Sequence, residues 1–252
     1  MGISVESITK GYGNKVVLSN FSMEIPDGKV YGILGPNGSG KTTLMKIMAG
    51  ISQFDRGKVT VNGIDAKSDP IGVRKIVGYV PESPNLYESL TPYEYFSFIS
   101  SVRGIPSDLA SRRAEELSKA LGLNEFVDQF IGSLSFGTRQ KVSIISSLLH
   151  APRVLILDES INGLDPESAK IFRDLIRSLA NDGTTVVFST HVLEIAETVC
   201  DDITIMKEGK IVAQGNTSVL LKEKTLEDVF IQLTSNEDIT SVVNALKGTL
   251  KQ

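Results

Sequence analysis

The chain has 252 residues, enough for one large α/β domain or two small ones, and hydrophobic residues at 41% supply a substantial core. With 26 basic and 30 acidic side chains the formal net charge is −4, which argues against the basic stripe that a nucleic-acid partner requires. The single cysteine, Cys200, rules out an internal disulfide and reads as a small buried hydrophobe in a reducing compartment. No apolar run reaches the ~18 residues of a bilayer span, and MGISVESITK lacks the apolar core of a secretory signal, so a cytosolic protein is expected unless a partner holds it at a membrane.

Taken in chain order, β-rich segments fall at Ile3–Thr9 and Val16–Ile25, followed by a strand at Lys29–Leu34 and a helix at Thr42–Met48. Lys58–Val61 and Val77–Val80 read as further strands. From about Pro84 to Pro152 strand signals vanish, and Pro92–Val102, Ser107–Leu121 and Phe136–His150 read as helices, the pattern of a helical insert. Val154–Asp158 and Thr184–Ser189 are continuous apolar runs, as expected of parallel strands covered on both faces. Asp202–Lys207 and Lys210–Ala213 flank the tight-turn pair Glu208-Gly209 and read as a hairpin. The stretch from about Thr217 to Gln252 reads as short helices. Alternating strands and helices make this an α/β chain.

The segment Gly35-Pro36-Asn37-Gly38-Ser39-Gly40-Lys41-Thr42 fits G-x-x-x-x-G-K-[ST] and lies between a strand and a helix, as a phosphate loop must. Its glycines let successive backbone N–H groups converge on phosphate oxygens, and the following helix adds its N-terminal dipole. Lys41 supplies a charge for the β- and γ-phosphates, and the Thr42 hydroxyl suits Mg²⁺.

A second cluster follows the strand Val154-Leu155-Ile156-Leu157. Asp158 arrives at the carboxyl end of a buried strand, where open α/β sheets bind ligands, and is assigned to Mg²⁺ through water; Glu159 is assigned to orient and deprotonate the attacking water. Asp165-Pro166 reads as a helix N-cap with proline at the first helical position. His191 follows the second buried strand and is expected near the same sheet edge as Asp158, whereas His150 is explained by a dipole contact at a helix C-terminus.

These pieces, in this order, resemble the nucleotide-binding subunit of ABC transporters from about Ile3 to Gly215. The deciding element is Leu134-Ser135-Phe136-Gly137-Thr138, which resembles the family's LSGGQ signature. The resemblance implies a P-loop NTPase with a RecA-like mixed-sheet core, an antiparallel β subdomain and an inserted helical subdomain. It also implies a nucleotide-binding domain over residues 1–216, with the helical insert at about 84–152, and a small helical extension over 217–252. It further implies an ATPase using ATP and Mg²⁺, in which two copies, or one copy and a related chain, pair head to tail around two ATP molecules. A separate integral membrane permease subunit would hold the pair at the cytoplasmic face of the membrane.

Residue by residue, Tyr12 matches the aromatic that stacks on adenine, and Thr43 joins the loop residues in the nucleotide set. Glu159, His191 and Lys41 are the expected catalytic groups, with His191 contacting the γ-phosphate. Thr42, Asp158 and Glu82 are expected around the metal. Ser135, Phe136, Gly137 and Thr138 are expected to meet the partner copy's ATP, and Asp165 belongs to the interface turn. Glu82 stands where most of the family has Gln, Phe136 and Thr138 replace Gly and Gln, and Ser160-Ile161 replaces Pro-Thr. Glu82, the loosened signature and the tail Leu226-Glu227-Asp228-Val229-Phe230 resemble the exporter branch that includes drug-resistance and ABCA-like pumps. Tyr87, Tyr93 and Tyr95 either line a groove for a helix of the membrane subunit or close the core of the insert. A soluble ABC ATPase of DNA repair, translation or cofactor assembly and a regulatory module that does not hydrolyse remain as alternatives.

Overall fold

A computed structural model describes residues 2–221 and 225–234. In chain order the elements are β1 (Ile3–Tyr12), β2 (Lys15–Ile25), β3 (Val30–Leu34), α1 (Lys41–Met48), β4 (Arg56–Val61), β5 (Ile64–Asp65), α2 (Pro70–Ile76) and β6 (Val77–Val80). Then come α3 (Pro92–Arg103), α4 (Ser107–Ala120), α5 (Phe136–Leu148), β7 (Val154–Asp158), α6 (Pro166–Asn181) and β8 (Thr185–Ser189). The last are α7 (Leu193–Val199), β9 (Asp202–Lys207), β10 (Lys210–Asn216), α8 (Thr217–Leu220) and α9 (Leu226–Thr234).

The strands form two sheets. A four-stranded antiparallel sheet runs β2-β1-β4-β5, and a six-stranded sheet runs β10-β9-β3-β8-β7-β6. In the larger sheet β9, β3, β8, β7 and β6 are parallel and only β10 is antiparallel, which makes it the mixed core expected. The turn between β9 and β10 places Glu208 at φ 51° and Gly209 at φ 73°, the doubly left-handed conformation of a two-residue hairpin turn.

Both faces of the larger sheet are covered. Leu155 and Leu157 of β7 and Val186 and Phe188 of β8 pack into a core with α5, α6 and α7. The alternate residues Val154, Ile156 and Val187 face a second core with α1 and the antiparallel sheet. This two-sided burial explains why β7 and β8 are apolar without alternation, and each such side chain contributes roughly 1.5–3 kcal/mol of transfer free energy. Between β6 and β7 the chain is helical and turn-like, with no strand. Thr91 opens α3 with a reciprocal capping box: its side chain accepts the Glu94 N–H and Glu94 accepts the Thr91 N–H.

Two short helices, α2 and α7, lie where no element was expected. Asp69 caps α2 by accepting the Gly72 N–H, and Pro70 opens it. Of the expected C-terminal helices, α8 and α9 are present, and residues 235–252 lie outside the described residues. α9 docks beside α7, with Leu226 fully buried and its N–H donated to Glu197 at 2.6 Å. Cys200 is buried as expected, and burial pushes its thiol up to about 12. Among the described residues no helix is long and apolar enough to cross a membrane.

Candidate functional site

Strands β3, β8, β7 and β6 are neighbours, and each ends in a segment that carries an expected functional residue. The loop after β3 is residues 35–40, the turn after β7 holds Glu159, the turn after β8 holds His191, and Glu82 follows β6. Parallel pairing sets the depth of these groups, because Asp158 stands opposite Ser189 in the β7–β8 ladder. A cleft of about 770 Å³ results, lined by Tyr12, Asn37, Gly38, Gly40, Lys41, Thr42, Thr43, Glu82, Glu159 and His191 together with Lys15 and Val17.

The loop is held from inside. Lys41, only 7% exposed, donates to the Gly35 carbonyl at 2.8 Å and to the Pro36 carbonyl at 3.3 Å. The Ser39 N–H closes on the Pro36 carbonyl, and the Gly209 N–H of the hairpin turn donates to the Ser39 carbonyl. Gly40 caps α1 at φ 105°, a conformation that disfavours any side chain and directs the helix N-terminus at the loop. Ser39 is buried, and its hydroxyl has no partner. Burial lowers the Lys41 pKa, opposed by the charges of Glu159, Asp158 and Glu82. One ammonium therefore faces three carboxylates before any phosphate arrives.

Glu159 occupies a left-handed conformation at φ 52°, uncommon for a residue with a side chain and a mark of a backbone held for a purpose. Its N–H is held by the Ser189 carbonyl at 3.2 Å and the Ser189 hydroxyl at 3.1 Å. Its carboxylate accepts from Asn162 at 3.0 Å, from the His191 N–H at 3.3 Å and meets His191 Nδ1 at 2.6 Å. The imidazole is 67% exposed whereas the Glu159 side chain is 8% exposed, so the histidine closes the carboxylate from the solvent side. Asp158 lies deeper, at 1% exposure, with the Ser189 hydroxyl donating to one oxygen and Tyr79 donating to the other at 3.3 Å. Burial and the Asp158 charge raise the Tyr79 pKa, so the phenol stays a donor.

These residues fit Mg²⁺ by donor chemistry. Thr42, Asp158 and Glu82 offer only hard oxygens, and three carboxylates against one lysine leave excess negative charge. No cluster of three His, Cys, Asp or Glu side chains among the described residues would hold a metal alone, so phosphate oxygens and water must complete the shell, as Mg²⁺ prefers.

Tyr12, 52% exposed at the end of β1, joins the cleft with the Lys10 ammonium 4.7 Å from its ring centroid. The signature segment lies outside the cleft. Ser135 caps α5 by accepting the Thr138 N–H at 3.2 Å, and its hydroxyl lies 2.8 Å from that of Thr138. Phe136 is 43% exposed. Gly137 has a reason within the chain: a Cβ there would collide with the Gly163 carbonyl, which ties the start of α5 to the turn after Glu159. Asp165 caps α6 as expected, accepting the Ser168 N–H, and also pairs with Lys141 of α5 at 2.7 Å, which together hold its carboxyl well below the usual range.

Four residues of this network escaped the sequence reading. Ser189 and Tyr79 sit inside apolar strands. Asn162 and Gln140 are polar residues in helical or turn patterns. Gln140 is fully buried and donates to the Ser160 carbonyl at 3.1 Å and the Pro81 carbonyl at 3.4 Å, joining α5 to the ends of β7 and β6. The signal for Ser189 was its place at the end of a buried strand, where a hydroxyl has no packing role.

One expectation needs correction. His150 makes no charged contact with a helix end. Its Nε2 meets the Val77 carbonyl at 3.2 Å, and burial with Arg103 and Arg113 nearby pushes its pKa down to about 4, so the ring is neutral. The two alternatives left open for the tyrosines divide between them. Tyr95 is 8% exposed and belongs to the core, whereas Tyr87 is exposed and stacks edge-on against Phe98 at 5.5 Å. Tyr93, also exposed, borders a cavity of about 560 Å³ between α3 and α4.

Comparison with known proteins agrees with this geometry. The family model for ABC transporters matches residues 18–162. The ABC transporter ATP-binding protein YdbJ of Bacillus subtilis (strain 168), itself uncharacterized, is 35% identical over 251 residues, covering 99% of this chain and 79% of its own length. The linearmycin resistance ATP-binding protein LnrL of the same organism is 33% identical over 232 residues, covering 92% and 74%. A solved ATP-binding subunit of an ABC transporter superposes with a TM-score of 0.88 at 28% identity, covering 93% of this chain and all of the other.

Proposed function

The chain belongs to the ATP-binding subunits of ABC transporters and is an ATPase, and from that premise we propose that it powers export through a separate membrane permease subunit. In this reading it works at the cytoplasmic face as a head-to-tail dimer around two Mg–ATP molecules. The observation that carries the reading is the division of labour between two surfaces. One cleft unites Lys41, Glu159 and His191, while the capped Ser135 and exposed Phe136 face outward at the start of α5, outside that cleft. A surface of this kind is complete only when another copy presents its nucleotide.

The residues then act as follows. Tyr12 supplies a ring face for the base. Lys41 exchanges its two loop carbonyls for phosphate oxygens, and the backbone N–H groups of the loop and the dipole of α1 hold the rest of the triphosphate. Thr42, Glu82 and, through water, Asp158 would hold Mg²⁺, which when bound neutralises charge on the phosphates. Ser189 and Tyr79 fix both oxygens of Asp158. Glu159 accepts a proton from the attacking water, while Asn162 and His191 set the direction of its carboxylate. Across the interface Ser135 meets the γ-phosphate at the N-terminus of α5, and Asp165 ties that helix to the turn after Glu159 through Lys141.

Export, rather than uptake, is supported by Glu82, by the altered signature and by the likeness to a protein named for linearmycin resistance. The exposed Tyr87–Phe98 pair marks the surface proposed for the permease. The likeness to proteins named as transporter ATP-binding subunits favours this reading over a soluble ABC ATPase, and the presence of both Glu159 and His191 in the cleft favours it over a regulator that does not hydrolyse.

Phosphate release tests the proposal: the membrane subunit should raise turnover of the purified chain several-fold, and unchanged turnover with that subunit in lipid would overturn the coupling. In cells, Glu159→Gln should increase sensitivity to the exported compounds of a membrane-active panel; a strain that becomes resistant would point to uptake.

A further inference from the structure

The position after Gly137 carries Thr138 where the ABC signature has Gln, and the threonine hydroxyl contacts the signature serine directly. A serine hydroxyl has one proton and two lone pairs. One lone pair of Ser135 already accepts the Thr138 N–H at 3.2 Å, and Thr138 Oγ1 lies 2.8 Å away. Two arrangements satisfy that short contact. If Ser135 donates to Thr138, its only proton turns inward and a lone pair faces outward, which repels an anion. If Thr138 donates to Ser135, both serine lone pairs are filled from within the helix and the serine proton is left to face outward. Ser135 is exposed and Thr138 half-buried, so the serine is the member of the pair that meets a ligand.

We infer that Thr138 is a positioning residue: its hydroxyl donates to Ser135 Oγ and leaves the Ser135 proton free for the γ-phosphate of an ATP held by a second copy of the chain. The inference rests on the dimer reading above. It assigns to a departure from the signature a gain in preorganisation at Ser135, because two donors aimed at one oxygen fix the direction of its remaining proton before nucleotide arrives. A glutamine side chain, longer and unbranched, does not place a hydroxyl against Ser135.

The test uses the full chain with Glu159→Gln, which retains ATP, and measures by light scattering the Mg–ATP concentration that half-converts monomer to dimer. Thr138→Val keeps the branched shape and removes the hydroxyl; Thr138→Ser keeps the hydroxyl. Thr138→Val should raise the half-conversion concentration about five- to tenfold, the scale of one lost hydrogen bond, and Thr138→Ser should restore it. Binding of a fluorescent ATP analogue to the chain's own cleft, measured at protein concentrations too dilute to dimerise, should be unchanged in both, because the signature lies outside that cleft. A Thr138→Val chain that dimerises like its parent, while Ser135→Ala does not, would overturn the role of Thr138 and leave the sandwich standing. If Ser135→Ala also dimerises like its parent, or the parent stays monomeric with ATP bound, the sandwich reading fails and the inference with it. A shift in Thr138→Val that Thr138→Ser fails to reverse would likewise overturn it, as the effect would then not belong to the hydroxyl.

Discussion

The cleft after β3 and the start of α5 are both regions that handle phosphate in this account, yet they are built in opposite ways. The cleft is charged, deep and crosslinked: Lys41 is bonded into its own loop, Asp158 has both oxygens bonded, and Glu159 is bonded by three neighbours. The start of α5 is exposed and carries hydroxyls, backbone N–H groups, a half-exposed phenyl ring and Arg139, which pairs with Glu88 at 3.4 Å. Its ties from Gly137 to Gly163, from Lys141 to Asp165 and from Gln140 to Ser160 run back to the turn after β7, and Gln140 also reaches the Pro81 carbonyl after β6. The difference teaches that the first region can bind nucleotide within one chain. In the proposed dimer the second completes a site that another chain brings, and those ties join it to the turn after Glu159.

The largest effect should come from the cleft. Lys41→Ala removes the ammonium and its two internal bonds and leaves Glu82, Asp158 and Glu159 with no cation. ATP affinity by equilibrium titration should fall at least about a hundredfold, the scale for removing one partner of a buried charged contact. Unchanged affinity would overturn the loop assignment.

Ser135→Ala should separate the two regions. ATP binding to the isolated chain should stay within about twofold, while turnover falls about tenfold or more, in the range for a lost donor to developing charge. Equal losses in both would mean that α5 acts within its own chain and would erase the comparison.

Much of this contrast was legible in the sequence, for a physical reason. A phosphate loop must have glycines where backbone approaches ligand and a lysine at its end, and a doubly covered strand must be continuously apolar until its acidic tip. Those demands fall on consecutive residues, so Gly35–Thr42 and Val154–Glu159 can be read directly. The supporting bonds fall on residues distant in sequence. Ser189 meets Asp158 only because β7 and β8 pair in one register, and the left-handed turn at Glu159 leaves no trace in composition. Of the two short helices missed, α7 has a thin signal, its N-cap Val192 offering no side-chain bond, whereas α2 carries in Asp69-Pro70 the same cap as Asp165-Pro166. His150 was given a charge that its surroundings forbid, because burial and the approach of Arg103 and Arg113 exist only in the folded chain.

That last correction yields the smallest expected effect and one outside both regions. The His150 pKa falls from 6.5 to about 4 on folding, so between those values the unfolded chain takes up a proton that the folded chain refuses. Stability should therefore fall as pH drops through that window. His150→Gln should flatten this part of the profile of Tm against pH without changing ATP affinity. An unaltered profile would mean that the neutral ring is not the group responsible.

The account stands most directly on whether the α5 surface closes on a second copy. The decisive measurement is the solution mass of the Glu159→Gln chain with and without Mg–ATP. The account predicts a monomer that becomes a dimer when ATP is added and returns to a monomer when Ser135→Ala is introduced as well. A chain that binds ATP and remains monomeric at every concentration would contradict it.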